Sequence, residues 1–91
     1  MNKNEFIARV AESTGQTKAL SAQMVDAVFG NITSALKAGE QVSIVGFGIF
    51  TVKHRNARMG RNPKTGEPAP IPASKLAVLK PGKPLREEIN R

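Results

Sequence analysis

Three prolines at alternate positions, Pro68, Pro70 and Pro72, constrain the fold more than any other feature of the chain. In an extended strand, the N–H groups of residues two apart point to the same edge, so all three missing donors lie on one edge. The residues between the prolines keep their N–H groups and face the other edge. The sequence therefore predicts a strand that pairs on one side only, as half of a two-stranded ribbon.

The partner strand in this ribbon is predicted to be the basic run that precedes the prolines. The chain can reverse within NPKTG, residues 62–66, where Pro63 sets a turn φ and Gly66 can adopt a positive φ. We expect the resulting arm to span about residues 53–74. Met59 and Ile71 are the only large apolar side chains between residues 57 and 72, too few to form a core, so we expect the arm to bind a partner. The residues alone leave two interpretations of Pro63 open: a simple turn former, or an apolar wedge that separates two base pairs.

The net positive charge is confined to the second half of the chain. Lys and Arg number 14 against 7 acids, a net charge of +7, yet residues 1–40 hold four of each sign. This asymmetry predicts a polyanionic partner, with nucleic acid favoured over an anionic membrane surface. The basic half is rich in proline and has no long amphipathic helix, and no apolar run approaches the ~18 residues that span a bilayer. We therefore expect a soluble, cytoplasmic protein with no membrane partner.

Stability must come from something other than a crosslink or a metal. The chain has 91 residues, no cysteine and one histidine, His54, so a disulfide framework, a thiolate metal site and a histidine-rich zinc site are excluded. A domain of this size buries only roughly 60–65% of its unfolded surface. Oligomerisation is the remaining means of stabilisation, and no cofactor is predicted.

The first 39 residues predict two helices. Asn2, with Glu5 three residues later, is typical of an N-cap, and Gly15 ends the first apolar stripe. Thr17 can cap a second helix that ends at Gly39. Its apolar residues recur at every fourth position: Leu20, Met24, Val28, Ile32 and Leu36. This stripe is broader than the short first helix can cover, so we expect a second subunit to cover it.

Beyond residue 40 the apolar period changes to two, which predicts strands. Two alternating runs flank a hairpin turn at residues 46–48, and residues 75–80 form a returning strand. We expect Phe47 and Phe50 to point into a core. Pro81-Gly82 ends the last strand, and Pro84 suits the first turn of a short final helix.

The run GFGIFTVKHRNARMGRNPKT, residues 46–65, resembles the signature of the HU/IHF family of bacterial histone-like DNA-binding proteins. With the helices and the PASK…KPGK segment, the resemblance covers essentially the whole chain. It implies an α+β fold: an intertwined dimer with an N-terminal helix pair, a three-stranded antiparallel sheet extended into a β-ribbon arm, and a short C-terminal helix. The single domain, residues 1–91, would consist of a helical dimerisation base (1–39), a β-saddle (40–81) carrying the arm, and the C-terminal helix (82–91).

The resemblance also implies roles for individual residues. Pro63 would be the wedge that enters the minor groove of duplex DNA and kinks it, as known for this family. The arm contacts would be Arg55, Arg58, Arg61, Asn62 and Lys64. The saddle and flank contacts to phosphate would be Lys53, Lys75, Lys80, Lys83 and Arg86, with Lys3 as a further candidate. The dimer core would contain Phe29, Phe47, Phe50 and Leu79, where Leu79 departs from the phenylalanine that many members carry.

The resulting hypothesis is an HU-type homodimer that binds duplex DNA with little sequence specificity and helps to compact the bacterial nucleoid. Alternatives are a subunit of a sequence-specific IHF-like heterodimer and a basic RNA-binding protein. Every aromatic residue precedes position 51, so the basic half lacks the stacking platforms of single-strand readers. Catalysis on a small-molecule substrate is not predicted, because Glu67 follows Gly66 where a phosphate loop needs lysine, and His54 has no evident acid or nucleophile partner.

Overall fold

All 91 residues are described by a computed structural model, in which the chain divides into a helical unit, Met1–Ala35, and a β-rich unit, Leu36–Arg91. The elements follow in the order α1 (Lys3–Thr14), α2 (Lys18–Lys37), β1 (Val42–Ile44), β2 (Gly48–Arg55), β3 (Arg58–Arg61), β4 (Pro68–Ile71), β5 (Ser74–Pro81) and α3 (Lys83–Ile89). The predicted helices, three-stranded antiparallel sheet and short final helix are all confirmed.

Side-chain and glycine caps set the bounds of both N-terminal helices as predicted. The Asn2 side chain accepts a hydrogen bond from the Glu5 N–H at 2.8 Å, and Gly15 ends α1 with a φ of 68°. The Thr17 hydroxyl accepts from the Leu20 N–H at 3.1 Å and so caps α2. Each cap satisfies a backbone group that the helix itself leaves without a partner.

The helical unit buries very little. Ala11 and Val25 are its buried apolar residues, and Ser21 is fully buried with no hydrogen-bond partner for its hydroxyl. The Phe6 and Phe29 rings lie 6.2 Å apart, yet Phe29 remains 49% exposed. The two helices leave between them an apolar groove lined by Phe6, Val10, Thr14, Met24, Val25, Val28 and Phe29.

In the β-rich unit, antiparallel strands β1, β2 and β5 form one sheet, with β2 in the centre. Gly48 allows close strand packing, because a Cβ there would lie 2.5 Å from the carbonyl oxygen of Lys80. The Phe47 and Phe50 rings stack at 6.1 Å. Phe50 is half-buried, but Phe47 is 41% and Leu79 40% exposed. Within one chain the Phe47 ring is therefore only partly covered, and its place in a core stays a prediction.

Strands β3 and β4 form a separate two-stranded sheet with the reversal at residues 62–67. We call residues 58–71 the distal ribbon and residues 62–67 its tip. The pairing of Arg58 with Ile71 continues the register in which Arg55 pairs with Ser74. The ladder is nevertheless interrupted at residues 56–57 and 72–73.

The interruption separates two ladders that differ in hydrogen-bond phase, which means that the hydrogen-bonded pairs fall on alternate positions of the same register. In β2–β5, the Gly82 N–H donates to the Phe47 carbonyl at 2.8 Å, and Pro81 has no N–H to donate. Hydrogen-bonded pairs alternate with non-bonded ones in an antiparallel ladder. Every second pair counted from Phe47 with Gly82 is therefore hydrogen-bonded, and the β2–β5 ladder ends on such a pair, Arg55 with Ser74.

The distal ribbon has the opposite phase. Pro68 and Pro70 stand opposite Arg61 and Met59 and cannot donate, so the hydrogen-bonded pairs are Gly60 with Ala69 and Arg58 with Ile71. The bond from the Asn62 N–H to the Glu67 carbonyl, 2.8 Å long, has the same phase.

Pro72 does not belong to the paired strand, and the prediction that all three prolines share one is wrong. Had the phase of β2–β5 continued, Ala57 with Pro72 would have been the next hydrogen-bonded pair, and Pro72 cannot donate. Strand β4 accordingly ends at Ile71. The prolines require one phase and the three-stranded sheet requires the other, so the ladder breaks between them.

Candidate nucleic-acid interface

The predicted contact residues of the arm lie on exposed strands and at the tip. Lys53 and Arg55 end β2, and Arg58 and Arg61 bound β3. Lys75 lies opposite His54 on β5, so that strand adds a further cation beside the same run. All of these side chains are exposed, and none has an acid within ion-pair distance. The β-rich unit therefore presents a run of uncompensated positive charge.

Arg58 and Arg61 extend from opposite faces of the distal ribbon, because they are an odd number of residues apart on one strand. The ribbon between them is thin: Gly60 has no side chain, and its partner is Ala69. The Ile71 side chain occupies the space beside Gly60, where a Cβ would collide with it. The ribbon thus carries positive charge on both faces around a slender centre.

The tip is organised by Asn62. Its N–H donates to the Glu67 carbonyl, its carbonyl accepts from the Gly66 N–H at 2.7 Å, and its side-chain oxygen accepts from the Lys64 N–H at 2.9 Å. Gly66 has a φ of 72°, the positive φ expected from the sequence. These bonds hold Pro63 exposed at the end of the ribbon. The sequence predicted Asn62 as part of the reversal and as a DNA contact but none of these hydrogen bonds, although Asn before Pro is a turn signal.

Two of the predicted flank residues are paired with acids. Lys3 lies in the helical unit, where its Nζ is 2.7 Å from the Asp26 carboxylate, and both side chains are mostly exposed. Lys83 is 3.7 Å from Glu87 in α3. Lys80 and Arg86 have no such partner. A phosphate would compete with a carboxylate at Lys3 and Lys83 but at none of the arm cations.

No cluster of three or more His, Cys, Asp or Glu side chains is placed to hold a metal ion. None of the three helices combines the length and apolarity needed to cross a membrane.

Comparison with known proteins assigns the chain to a family. Residues 1–90 match the family model described as "Bacterial DNA-binding protein". The "DNA-binding protein HU" of Geobacillus stearothermophilus is 52% identical over 89 residues, which cover 98% of this chain and 99% of that protein. The chain belongs to the HU family of bacterial DNA-binding proteins. The family resemblance stated from residues 46–65 is thereby confirmed, and the HU family is one of DNA-binding proteins rather than enzymes.

Solved structures of HU proteins have the same fold. A structure titled "Anabaena HU-DNA cocrystal structure" matches with a TM-score of 0.90 and 40% identity, covering 98% of this chain and 97% of that one. HU from Thermotoga maritima matches with a TM-score of 0.71 and 35% identity, covering 98% of each chain. The α+β architecture derived above is therefore that of the HU family.

Proposed function

We propose that this chain binds duplex DNA as a homodimer, with little dependence on sequence, through arms that enter the minor groove. The observation that carries the proposal is the distal ribbon, whose arginines lie on both faces with no acid beside them. Membership of the HU family and the likeness to an HU protein crystallised with DNA support it. Binding by phosphate contacts would be salt-dependent, with each contact contributing roughly −0.9 to the log–log slope.

Bending would depend on Pro63. Its three ring methylenes contribute about 2 kcal/mol when they leave water, at ~0.8 kcal/mol each. Opening a base step costs a few kcal/mol, so intercalation by the ring alone is unfavourable. Contacts between the arm cations and phosphates along the bent path would supply the difference. Wedge and cations would therefore act together, and neither would bend DNA alone.

A second copy of the chain would complete the fold. The apolar groove of the helical unit and the exposed rings of Phe29 and Phe47 have no cover within one chain, and neither has Leu79. Covering such side chains with a second copy would stabilise both subunits at once. Phe29, Phe47, Phe50 and Leu79 are the residues that we assign to the dimer core. Two arms per dimer would then bind one duplex, and in the cell the dimer would help to compact the nucleoid in the bacterial cytoplasm.

Duplex DNA is favoured over RNA as the ligand. The four phenylalanines all precede the distal ribbon, so the ribbon has no aromatic side chain on which an unpaired base could stack. Competition between a random duplex and structured RNA separates the two ligands. Tighter binding to the RNA would contradict the proposal.

The wedge is tested by Pro63→Ala, with Lys64→Ala as the matched neighbour at the tip. The bend angle of a short random-sequence duplex is measured by fluorescence energy transfer between its ends, and binding is measured over a range of salt concentrations. Pro63→Ala should reduce the bend and keep the salt slope, whereas Lys64→Ala should reduce the slope and keep most of the bend. An unchanged bend angle with Pro63→Ala would contradict the wedge role of Pro63. A wild-type protein that does not bind duplex DNA would contradict the proposed function.

A further inference from the structure

The outer edge of β3 carries backbone donors that nothing in the chain uses. Arg58 and Gly60 form the hydrogen-bonded pairs with β4, so the N–H groups of Met59 and Arg61 point away from it. Neither N–H has an acceptor elsewhere in the chain, and both residues are exposed. The distal ribbon therefore has a row of free donors along one edge.

The outer edge of β4 is different in kind. The residues whose N–H groups would point outward there are Pro68 and Pro70, which have none. The prolines thus remove donors from one edge of the distal ribbon and leave them on the other. A ligand rich in hydrogen-bond acceptors can pair with the β3 edge and cannot pair with the β4 edge.

Charge indicates which ligand the β3 edge suits. A free strand edge can pair with an edge of another chain, but Arg58 and Arg61 flank this one, and like charges on a second copy would repel it. The minor groove of DNA offers the complementary surface. Its floor carries the N3 and O2 acceptors of A·T pairs, and its walls carry phosphates.

The shape of the distal ribbon agrees with entry edge-on. Arg58 and Arg61 extend from opposite faces, toward the two walls, when the β3 edge points at the floor. Gly60 and Ala69 keep the ribbon thin at its centre. A groove only ~6 Å wide must still open to admit it, which bending toward the major groove achieves.

We propose that the outer edge of β3 is a main-chain binding site for the hydrogen-bond acceptors of the duplex, with the N–H groups of Met59 and Arg61 as donors. This inference rests on the proposed function, and it fixes which edge of the arm faces the DNA. It also assigns Pro68 and Pro70 a second role: they direct the acceptors to β3 by leaving β4 without donors.

Two substitutions at one position isolate the donor. Met59→Ala removes the side chain and keeps the N–H, whereas Met59→Pro removes both. Position 59 tolerates proline in the ladder, because its N–H makes no bond to β4, and Pro70 directly opposite occupies the same kind of position. On a random duplex at fixed salt, loss of about one hydrogen bond should weaken binding about threefold to tenfold per arm, so Met59→Pro should bind about tenfold to a hundredfold more weakly than Met59→Ala through the two arms of a dimer.

Equal binding by the two variants would overturn the inference while leaving DNA binding by the wild type, and so the proposed function, intact. Conversely, failure of the wild type to bind duplex would remove the proposed function itself. A synthetic full-length chain with an ester in place of the amide between Arg58 and Met59 removes the donor and keeps the Met59 side chain, so it decides the question if Met59→Pro disturbs the ribbon. The ester also makes the Arg58 carbonyl a weaker acceptor for Ile71, which hydrogen exchange at the Ile71 N–H measures separately. The ester chain should bind about tenfold to a hundredfold more weakly than wild type, and unchanged binding would overturn the inference.

The two sources of acceptor are distinguished by DNA containing 3-deazaadenine, which lacks N3. If the difference between Met59→Ala and Met59→Pro disappears on that DNA, the acceptor is a base on the groove floor. If the difference persists, the acceptor is either another atom of the groove floor, such as thymine O2, or an oxygen of the DNA backbone. Either result supports a main-chain site on β3, and the first result identifies the acceptor as adenine N3.

Discussion

The helical unit and the distal ribbon are both incomplete, and they lack different things. The helical unit has three cations and three acids, so it is neutral, and what it exposes is apolar: a groove between two helices and the ring of Phe29. The distal ribbon exposes arginines and unused N–H groups around a centre of glycine, alanine and proline. One region needs an apolar cover, and the other needs an anionic acceptor surface.

This difference separates the two partners of the chain. Apolar burial stabilises without regard to direction, so the helical unit requires only a surface of matching shape, which the proposed second copy would provide. Hydrogen bonds and charge pairs need donors and acceptors in place, so the ribbon requires a ligand with a regular array of acceptors. Substitutions in the ribbon should therefore weaken DNA binding and leave the association of two copies unaffected.

The largest effect is expected at Phe29. Phe29→Ala should lower the free energy of unfolding by about 3–5 kcal/mol if a second copy buries the ring, as for a large core side chain. Urea unfolding at several protein concentrations measures both the loss and its dependence on association. Gln23→Ala, also exposed on α2, is the control and should change stability by less than about 0.5 kcal/mol. A similarly small effect of Phe29→Ala would mean that the ring stays exposed in solution.

An intermediate effect is expected at Arg58, in DNA binding rather than stability. Arg58→Ala should lower the magnitude of the log–log salt slope by roughly 0.9 per arm, and weaken binding to unrelated duplexes equally. Its control is Arg9→Ala, an exposed cation of the neutral helical unit, which should leave the slope unchanged. If Arg58→Ala lost affinity for one DNA sequence only, Arg58 would read bases. Equal salt slopes for Arg58→Ala and Arg9→Ala would contradict the difference between the distal ribbon and the helical unit.

The smallest effect compares one substitution in both regions. Gly15 and Gly66 have similar positive φ values, 68° and 72°, and open space where a Cβ would be added, so alanine should cost about 1 kcal/mol at either site. At Gly15 this cost should appear in global unfolding, because the glycine ends a helix that carries the core. At Gly66 it should appear as faster hydrogen exchange at the Asn62 N–H, with global unfolding unchanged.

Gly66→Asn is the control for the tip, because asparagine tolerates the left-handed region better than alanine. It should protect the Asn62 N–H more than Gly66→Ala does. A lower free energy of global unfolding for Gly66→Ala would contradict this prediction, since it would couple the tip to the core.

Local features of the fold could be predicted because their causes are local. The caps at Asn2 and Thr17 and the positive φ at Gly66 each depend on residues within a few positions, and all three were predicted. The contact roles of the arm cations remain a prediction. The reversal at Asn62 was predicted but its three hydrogen bonds were not, because they form only when the two strands of the ribbon meet.

The sequence by itself determined the separation of charge, the helix bounds and the one-edged ribbon, because these follow from the identity and spacing of nearby residues. Only the tertiary structure decided where the ribbon begins. The phase of β2–β5 is set by the bond between Gly82 and Phe47, and that of the distal ribbon by Pro68 and Pro70. These constraints are far apart along the chain and meet only after the strands pair, so Pro72 was predicted in a strand and lies in the break between two.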